Sequence, residues 1–282
     1  MLNCGNLNAP VLRFRVLGSG SSGNATLVEA GDTRILLDAG LGPRELAERL
    51  QSAGVDPASL SLILLSHEHG DHSRGAASFS RKWGVRLCGT RGTYAAAALG
   101  AEEIAGYDVL DPGGSRPIGN LTVLAVPVPH DAAAPVAFVV SWGGSSLGHA
   151  TDLGHVTASL VRAFAACQAV LIESNYEGGM LRDGAYPWSL KERILSPLGH
   201  LANADVARYL ATGLAPACRD VVLAHLSERT NHPEVARMAA EKALRASGRE
   251  VRLAITDRDG TGWIEVAAAA RPLAGQLRLW AE

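Results

Sequence analysis

Lysine is nearly missing from this chain: of 26 basic residues, only Lys82, Lys191 and Lys242 are not arginine. Coding composition accounts for that bias without any appeal to function. Charge of one sign is missing too. The net charge is −2 and the pI about 6.5, so no global field draws in polyanions and any nucleic-acid contact has to rest on a local patch. Cysteine is scarce. Cys4, Cys88, Cys167 and Cys218 lie far apart with no C-x-x-C pair, which argues against a disulfide framework and a thiolate zinc knot and for a reducing, cytoplasmic compartment. No apolar run approaches the ~20 residues of a membrane helix. The opening "MLNCGNLNAPVLRFRV" has neither a basic n-region nor an apolar h-region, so no signal peptide is expected. Residues 1–10 are expected to form a loosely ordered leader.

Material for a core is plentiful: 47% of the 282 residues are hydrophobic, ample for a large α/β domain. No linker, low-complexity tract or internal repeat divides the chain, so one domain over 1–282 is expected. "VLRFRVLGS", "NATLVEA" and "TRILLDAG" read as successive strands joined by Gly-containing turns. A helix is expected over 43–52, with Pro43 at its first turn and Leu46, Ala47 and Leu50 on one face. The strand "LSLILL" follows, with others at 85–88, 121–127, 135–142 and 145–151. The second half alternates. Helices at 156–166, 203–213 and 233–247 and a looping helical stretch at 177–196 separate the strands "AVLIES" and "DVVLAHLS". Two strand-rich sheets with helices on their outer faces make a four-layer αβ/βα sandwich the expected α/β architecture.

Histidine is what the chain concentrates. Three of its nine histidines, His67, His69 and His72, fall within "SHEHGDHSRG" beside Glu68 and Asp71. Crowding these side chains at a strand end buries nothing by itself, and a metal ion is what such a cluster binds. His67 and His69 are two apart and point the same way in extended chain. Gly70 then lets the backbone turn and present Asp71 and His72. Imidazole and carboxylate donors suit zinc, manganese or iron.

Further ligands are expected from distant strand ends, where rigid elements place functional side chains. His130 ends "LTVLAVPVPH", Asp152 ends "SSLGHATD", and His225 lies at the end of "DVVLAHL". A pair of histidines with a third makes one site, Asp71, His72 and a last histidine the other, with Asp152 bridging. The expected cofactor is therefore two divalent ions. His149, His155 and His232 read as structural or surface groups, and Asp131 as a residue that orients its neighbourhood. The "GSGSSGN" loop offers Ser21, Ser22, Asn24 and its backbone N–H groups to a phosphate, although such a stretch also makes a tight hairpin turn.

With these residues in view, the chain resembles the metallo-β-lactamase superfamily: its H-x-H-x-D-H motif is matched by His67, His69, Asp71 and His72. "ILLDAG" looks like the superfamily's first motif, which implies that Asp38 supports the metal loop rather than binding metal. "LGSGSSGNATLVE", "PHDAAAPVAF", "ATDLG", "IESNYEGGMLRDGAYPWSLKERILSPLGHLAN" and "LAHLSERTN" resemble the YycJ/WalJ-type branch of 5′-to-3′ DNA exonucleases. Together these blocks span most of residues 14–235. The chain departs from the branch at Ala202, where a serine is usual, at "NYE" over 175–177, and in "HLSERTNH". A parallel with RNase Z enzymes implies that Glu173 and His200 assist proton transfer to the leaving group, and Glu173 reads equally as a partner that orients a metal-bound histidine.

The resemblance implies a binuclear metal-dependent phosphodiesterase acting on nucleic acid, a 5′-to-3′ DNA exonuclease that uses a metal-bridging hydroxide. Asp71 would orient that hydroxide or take its proton, and His200 would meet the scissile phosphate or protonate the departing oxygen. Arg74 and Asn203 join Ser21, Ser22 and Asn24 as expected substrate contacts, with Arg182 and Arg193 along the approach. The expected partner is a DNA end, not a membrane. On the residues alone two other readings stay open. A hydrolase of a small ester, lactone, thioester or cyclic phosphodiester would use the same ions in an enclosed site, and a di-iron redox protein would carry iron.

Overall fold

The computed structural model describes residues 11–268, so the leader expected over 1–10 and Cys4 lie outside the described residues. Strands β1 (Arg13–Gly18), β2 (Ala25–Ala30), β3 (Thr33–Leu37), β4 (Leu62–Leu64), β5 (Leu87–Gly89) and β6 (Tyr107–Val109) form one sheet. A second sheet takes β7 (Ser115–Ile118), β8 (Leu121–Pro127), β9 (Val136–Trp142), β10 (Ser145–Ala150), β11 (Ala169–Glu173), β12 (Asp220–Ala224) and β13 (Arg252–Ile255). The short β14 (Ile264–Glu265) returns to the first sheet beside β1.

Helices α1 (Pro43–Ser52), α2 (Gly70–Ser73), α3 (Ala76–Trp83) and α4 (Arg91–Ala96) belong to the first half. The second half carries α5 (Ala158–Phe164), α6 (Gly178–Asp183), α7 (Trp188–Leu195), α8 (Asn203–Thr212) and α9 (Pro233–Ala246). Among the described residues no helix is long and apolar enough to cross a membrane.

Burial sorts these elements into four layers. Phe14, Ile35 and Leu64 from one sheet meet Val123, Phe138, Leu171 and Val222 from the other in a core between the sheets. The outer face of the first sheet is covered by Leu46 and Leu50 of α1 and Phe79 of α3, packed with Leu36 and Ile63. The outer face of the second is covered by α5, α8 and α9 through Phe164, Leu210 and Ala240, packed with Val170 and Leu223. Strands buried on both faces read as unbroken apolar runs, as β11 and β12 do. This is the αβ/βα sandwich expected from the sequence.

The strand directions decide where a site can form. β3 to β6 are parallel, and β10 to β13 are parallel. β2 is antiparallel to both β1 and β3, and β9 to both β8 and β10. It follows that β1, β3 and β4 end together, as do β8, β10, β11 and β12. Ligand sites of α/β sheets lie beyond the carboxyl ends of the strands.

Five elements lie outside the sequence expectation: α2, α3, α4, β6 and β7. Phe79 is the one large apolar residue on the buried face of α3, too little for a periodic signal. β6 and β7 are short and half-exposed, and β7 carries Pro117, which an edge strand tolerates. α8 starts at Asn203 as expected, with Ala202 as its N-cap.

Candidate functional site

Most of the histidines and carboxylates that close strands meet at this shared edge. The loop after β4 brings His67, His69, Asp71 and His72, and the chain beyond β8, β10 and β12 brings His130, Asp152 and His225. Six imidazoles form a continuous chain, with ring centroids 4.2 Å apart for His67 and His72 and 5.7 Å for His72 and His225. His130 and His200 are 5.3 Å apart and His200 and His225 5.4 Å.

The backbone is bent to make this happen. Asp38, Asp152 and His225 have φ of 62°, 57° and 54°, a left-handed conformation uncommon outside glycine. Each directly follows or closely follows the last residue of a strand, and such strain persists where surroundings over-determine it. Gly40 shows how tightly the loops fit, because a Cβ there would collide with the Asp71 carbonyl.

Supporting residues orient the rings. Asp38 accepts from the Ser66 backbone N–H at 2.8 Å and from Ser66 Oγ at 2.9 Å, and its Oδ2 is 2.8 Å from His72 Nδ1. The proton thereby fixed on Nδ1 leaves His72 Nε2 facing Asp152, 2.7 Å from Oδ2. His130 Nδ1 donates to the Gly199 carbonyl at 3.0 Å, which turns its Nε2 toward His69 Nδ1, 3.3 Å away. Ser19 Oγ accepts from the His225 backbone N–H at 2.8 Å. A second partner of this kind fixes the tautomer and direction of each ligand-type imidazole.

Three groups of donors have ligand atoms all within 4.8 Å of one another: His67, His69 and His130; Asp71, His72, Asp152 and His225; and Asp152, Glu173, His200 and His225. The buried atoms His67 Nε2, Asp152 Oδ2 and His225 Nδ1 have no hydrogen-bond partner. Asp152 Oδ2 lies 3.0 Å from His225 Nδ1, close enough for an ion pair but off the line of an N–H bond. Buried polar atoms are normally satisfied, and a cation among these lone pairs would satisfy them together. Burial opposes charge on His72 and His225, but Asp152 outweighs it and raises both rings well above the ordinary histidine value, so protons stand there where a cation would. Burial keeps the His67 ring well below the ordinary histidine value, hence neutral with a free lone pair. Burial also works against an ionised Asp152, yet His225 and His72 outweigh it and hold the carboxylate far below its usual range. The residues therefore fit a divalent metal ion.

His200 and Glu173 share the third group with Asp152 and His225. Glu173 is completely buried; its Oε1 is 2.7 Å from His200 Nδ1 and 3.1 Å from His225 Nδ1, and its Oε2 accepts from the Leu153 and Leu201 backbone N–H groups. With no surface of its own, Glu173 can act on a substrate only through His200.

A cavity of about 270 Å³ opens on the site, lined among others by His69, Asp71, His200, His225, Arg193 and Ser21. Other expected substrate contacts are elsewhere. Asn203 is 2% exposed and is spent in a buried network with Ser174 at 2.7 Å, Asn231 at 2.9 Å and Glu177 at 3.1 Å. Asn24 is also buried: its side chain bonds Gly20 and the Asp71 carbonyl and lies 3.0 Å from His72 Nε2, so it braces the metal loop. Arg74 is exposed and gives its donors to the carbonyls of Gly40 and Ser22. Ser22 is exposed but does not line the cavity, and neither does Arg182. Local backbone demand took these polar groups first.

The sequence reading missed Ser66, Asn175, Tyr186 and Ser227. Ser66 directly precedes His67, where a hydroxyl can brace two ligand-type rings. Asn175 lines the cavity and donates to the His225 carbonyl at 2.9 Å. Tyr186 lies within "AYPW" with no pattern to mark it. Of the remaining histidines, His149 is buried 3.2 Å from Thr26 Oγ1, and burial pushes it down to about 4. His232 caps α9.

Known proteins sharpen the picture. A model of the beta-lactamase superfamily domain matches residues 33–225. The chain is 33% identical over 230 residues to the exodeoxyribonuclease WalJ of Streptococcus pneumoniae, covering 80% of this chain and 86% of that protein. It is 33% identical over 239 residues to the exodeoxyribonuclease YycJ of Bacillus anthracis, covering 84% and 90%. The crystal structure of the metallo-beta-lactamase fold protein YhfI from Bacillus subtilis superposes with a TM-score of 0.70 at 16% identity, over 92% of this chain and all of that one. With its H-x-H-x-D-H loop set at the shared edge of two sheets, this chain belongs to the beta-lactamase superfamily and, within it, to the family of the WalJ and YycJ exodeoxyribonucleases.

Proposed function

We propose that the chain is a metal-dependent exodeoxyribonuclease that removes nucleotides from the 5′ end of DNA. The observation that carries this reading is the convergence of ligand-type side chains from both sheets on one cavity, in a chain 33% identical to two exodeoxyribonucleases. His67, His69 and His130 are assigned to one ion and Asp71, His72 and His225 to a second, with Asp152 between them. Zinc or manganese suits this donor set, and iron is compatible with it. Bound divalent ions supply hydroxide near neutral pH and positive charge against the phosphoryl oxygens.

The chain's own residues do the rest. Burial opposes charge on Asp71, but His225 and His72 beside it lower its carboxyl below the usual range, so it stays ionised and can orient a hydroxide by accepting its hydrogen bond. Burial likewise opposes charge on His200, and the Glu173 carboxylate outweighs it and raises the ring above the ordinary histidine value. His200 donates Nδ1–H to Glu173 at 2.7 Å. This leaves Nε2 to protonate the departing oxygen or to bind the phosphate. Arg193, held by Asp131 at 2.5 Å, is the arginine on the cavity wall and would meet the phosphate charge. Cys88, Cys167 and Cys218 are buried free thiols, which fits the cytoplasm.

The test compares metal-loaded protein on linear DNA with a 5′-phosphate, linear DNA with a 5′-hydroxyl, and covalently closed circles. Mononucleotides should leave the linear strands while circles stay intact. Equal cutting of circles and linear DNA rejects an exonuclease. Rapid hydrolysis of a lactone or thioester with no cleavage of any nucleic acid would replace the nuclease reading with a small-ester hydrolase.

A further inference from the structure

The arginines named so far are already engaged. Arg193, on the cavity lining, is held by Asp131, and Arg74 gives its donors to the Gly40 and Ser22 carbonyls. Arg229 differs. It is exposed, and among the described residues its guanidinium meets neither a carboxylate nor a carbonyl. What it meets is the ring of Tyr186, 5.9 Å from the centroid. Tyr186 in turn lines the cavity together with Asp71, His200 and His225.

Resting on a ring rather than on a carboxylate has two consequences. The charge stays uncompensated, because an aromatic face attracts a cation without neutralising it. The planar fork of N–H donors also stays free for an acceptor of matching shape, a carboxylate or a phosphate. The loop that carries Arg229 is braced. Ser227, a buried residue of the cavity lining, accepts at Oγ from the Thr230 backbone N–H at 3.2 Å. The Thr230 carbonyl accepts from the Glu177 N–H at 2.8 Å, at the start of α6. Asn231 Nδ2 donates to the Ser174 carbonyl at 2.8 Å and to Asn203 Oδ1 at 3.0 Å.

Charge decides what such a residue does. A chain of net charge −2 attracts a polyanion only through local positive groups. Each strand of a duplex carries a phosphate every ~3.4 Å of its axis. A strand that places one phosphate at the ligand cluster therefore brings its neighbours past the surrounding surface. Arg229 touches a lining residue without being one, which places it for a neighbouring phosphate and not for the one being cut.

We infer that Arg229, seated on Tyr186, binds a backbone phosphate of the DNA strand inward of the scissile linkage. The inference rests on the nuclease reading and adds to it a contact with the part of the strand not yet degraded. Such a contact holds register and carries no sequence information.

The test follows KM of metal-loaded protein for linear 5′-phosphorylated duplex across a salt series. Arg229→Gln should raise KM at low salt and make the slope of log KM against log salt shallower by about 0.9, the value of one phosphate contact on duplex DNA. Arg229→Lys, which keeps the charge, should restore the slope. Arg81→Gln, at an exposed arginine in the last turn of α3, should leave it unchanged. Duplexes with one uncharged methylphosphonate at successive linkages from the 5′ end then locate the contact. Wild-type KM should rise for the neutral linkage at one inward position, and Arg229→Gln should be blind to that substitution. An Arg229→Gln protein that degrades DNA with the wild-type KM and slope, or that responds to every neutral linkage as the wild type does, overturns the contact and leaves the nuclease standing. No degradation of any DNA by the wild type removes both together.

Discussion

Part of the cavity lining rests on the carboxyl ends of strands from both sheets, whereas Tyr186, Leu190 and Ile194 come from a segment with a core of its own. On the strand side, His67, His72, His130, Asp152 and His225 are all 4% exposed or less, and each ring is steered by a neighbour such as Asp38 or Gly199. On the segment side, the core is three buried residues, Tyr176, Leu181 and Ile194. Met180, Trp188, Leu195 and Leu198 stand exposed around it. The difference teaches where rigidity is needed. Positions that share an ion tolerate errors of only ~0.5 Å. Elements with few buried contacts also open more readily than a sheet core.

The sharpest break of this contrast is Asp152→Ala. It removes the carboxylate that approaches both His72 and His225, at 2.7 and 3.0 Å, and activity should fall to the uncatalysed background with loss of bound metal. Metal analysis beside the activity assay checks this; full metal occupancy in the variant would refute the assignment. Next is His200→Ala, which should cost ~10²–10⁴-fold in turnover with the metal retained. If metal leaves together with activity, His200 is a ligand instead.

A third change sets the two regions against each other. Leu171→Ala, in the core between the sheets, should cost ~2–5 kcal/mol of global stability and lower the melting temperature of the whole chain. Leu181→Ala, in the small cluster, should instead raise KM for DNA and speed proteolysis near α6 and α7 while metal binding persists. Equal global destabilisation by both would mean that the segment is an integral part of the sandwich. The smallest effect is expected from Ala202→Ser. Ala202 is the N-cap of α8 and offers no side-chain acceptor. A serine there should add about 1 kcal/mol, roughly 2–4 °C in melting temperature, with kcat unchanged. A change in substrate KM without one in stability would return position 202 to the substrate.

The sequence by itself determined the sandwich, its strand ends and the ligand-type residues, because each of these leaves a local signal. β3, β8 and β12 are apolar runs that stop at a polar residue or a turn, and α1 carries its Pro43 and its apolar face in ten consecutive residues. His67 to His72 lie in one loop, so their spacing alone displays the metal motif. Tertiary structure decided which neighbouring polar groups are free to act. Asn24, Arg74 and Asn203 look like substrate contacts in a linear reading, yet backbone carbonyls and buried partners already satisfy them. Tyr186 and Asn175 carry no motif and reach the cavity only because the segment after β11 folds over the strand ends. That Glu173 is reached only through His200 is a tertiary fact for the same reason: burial is a property of the packed layers, and no single stretch of chain encodes it.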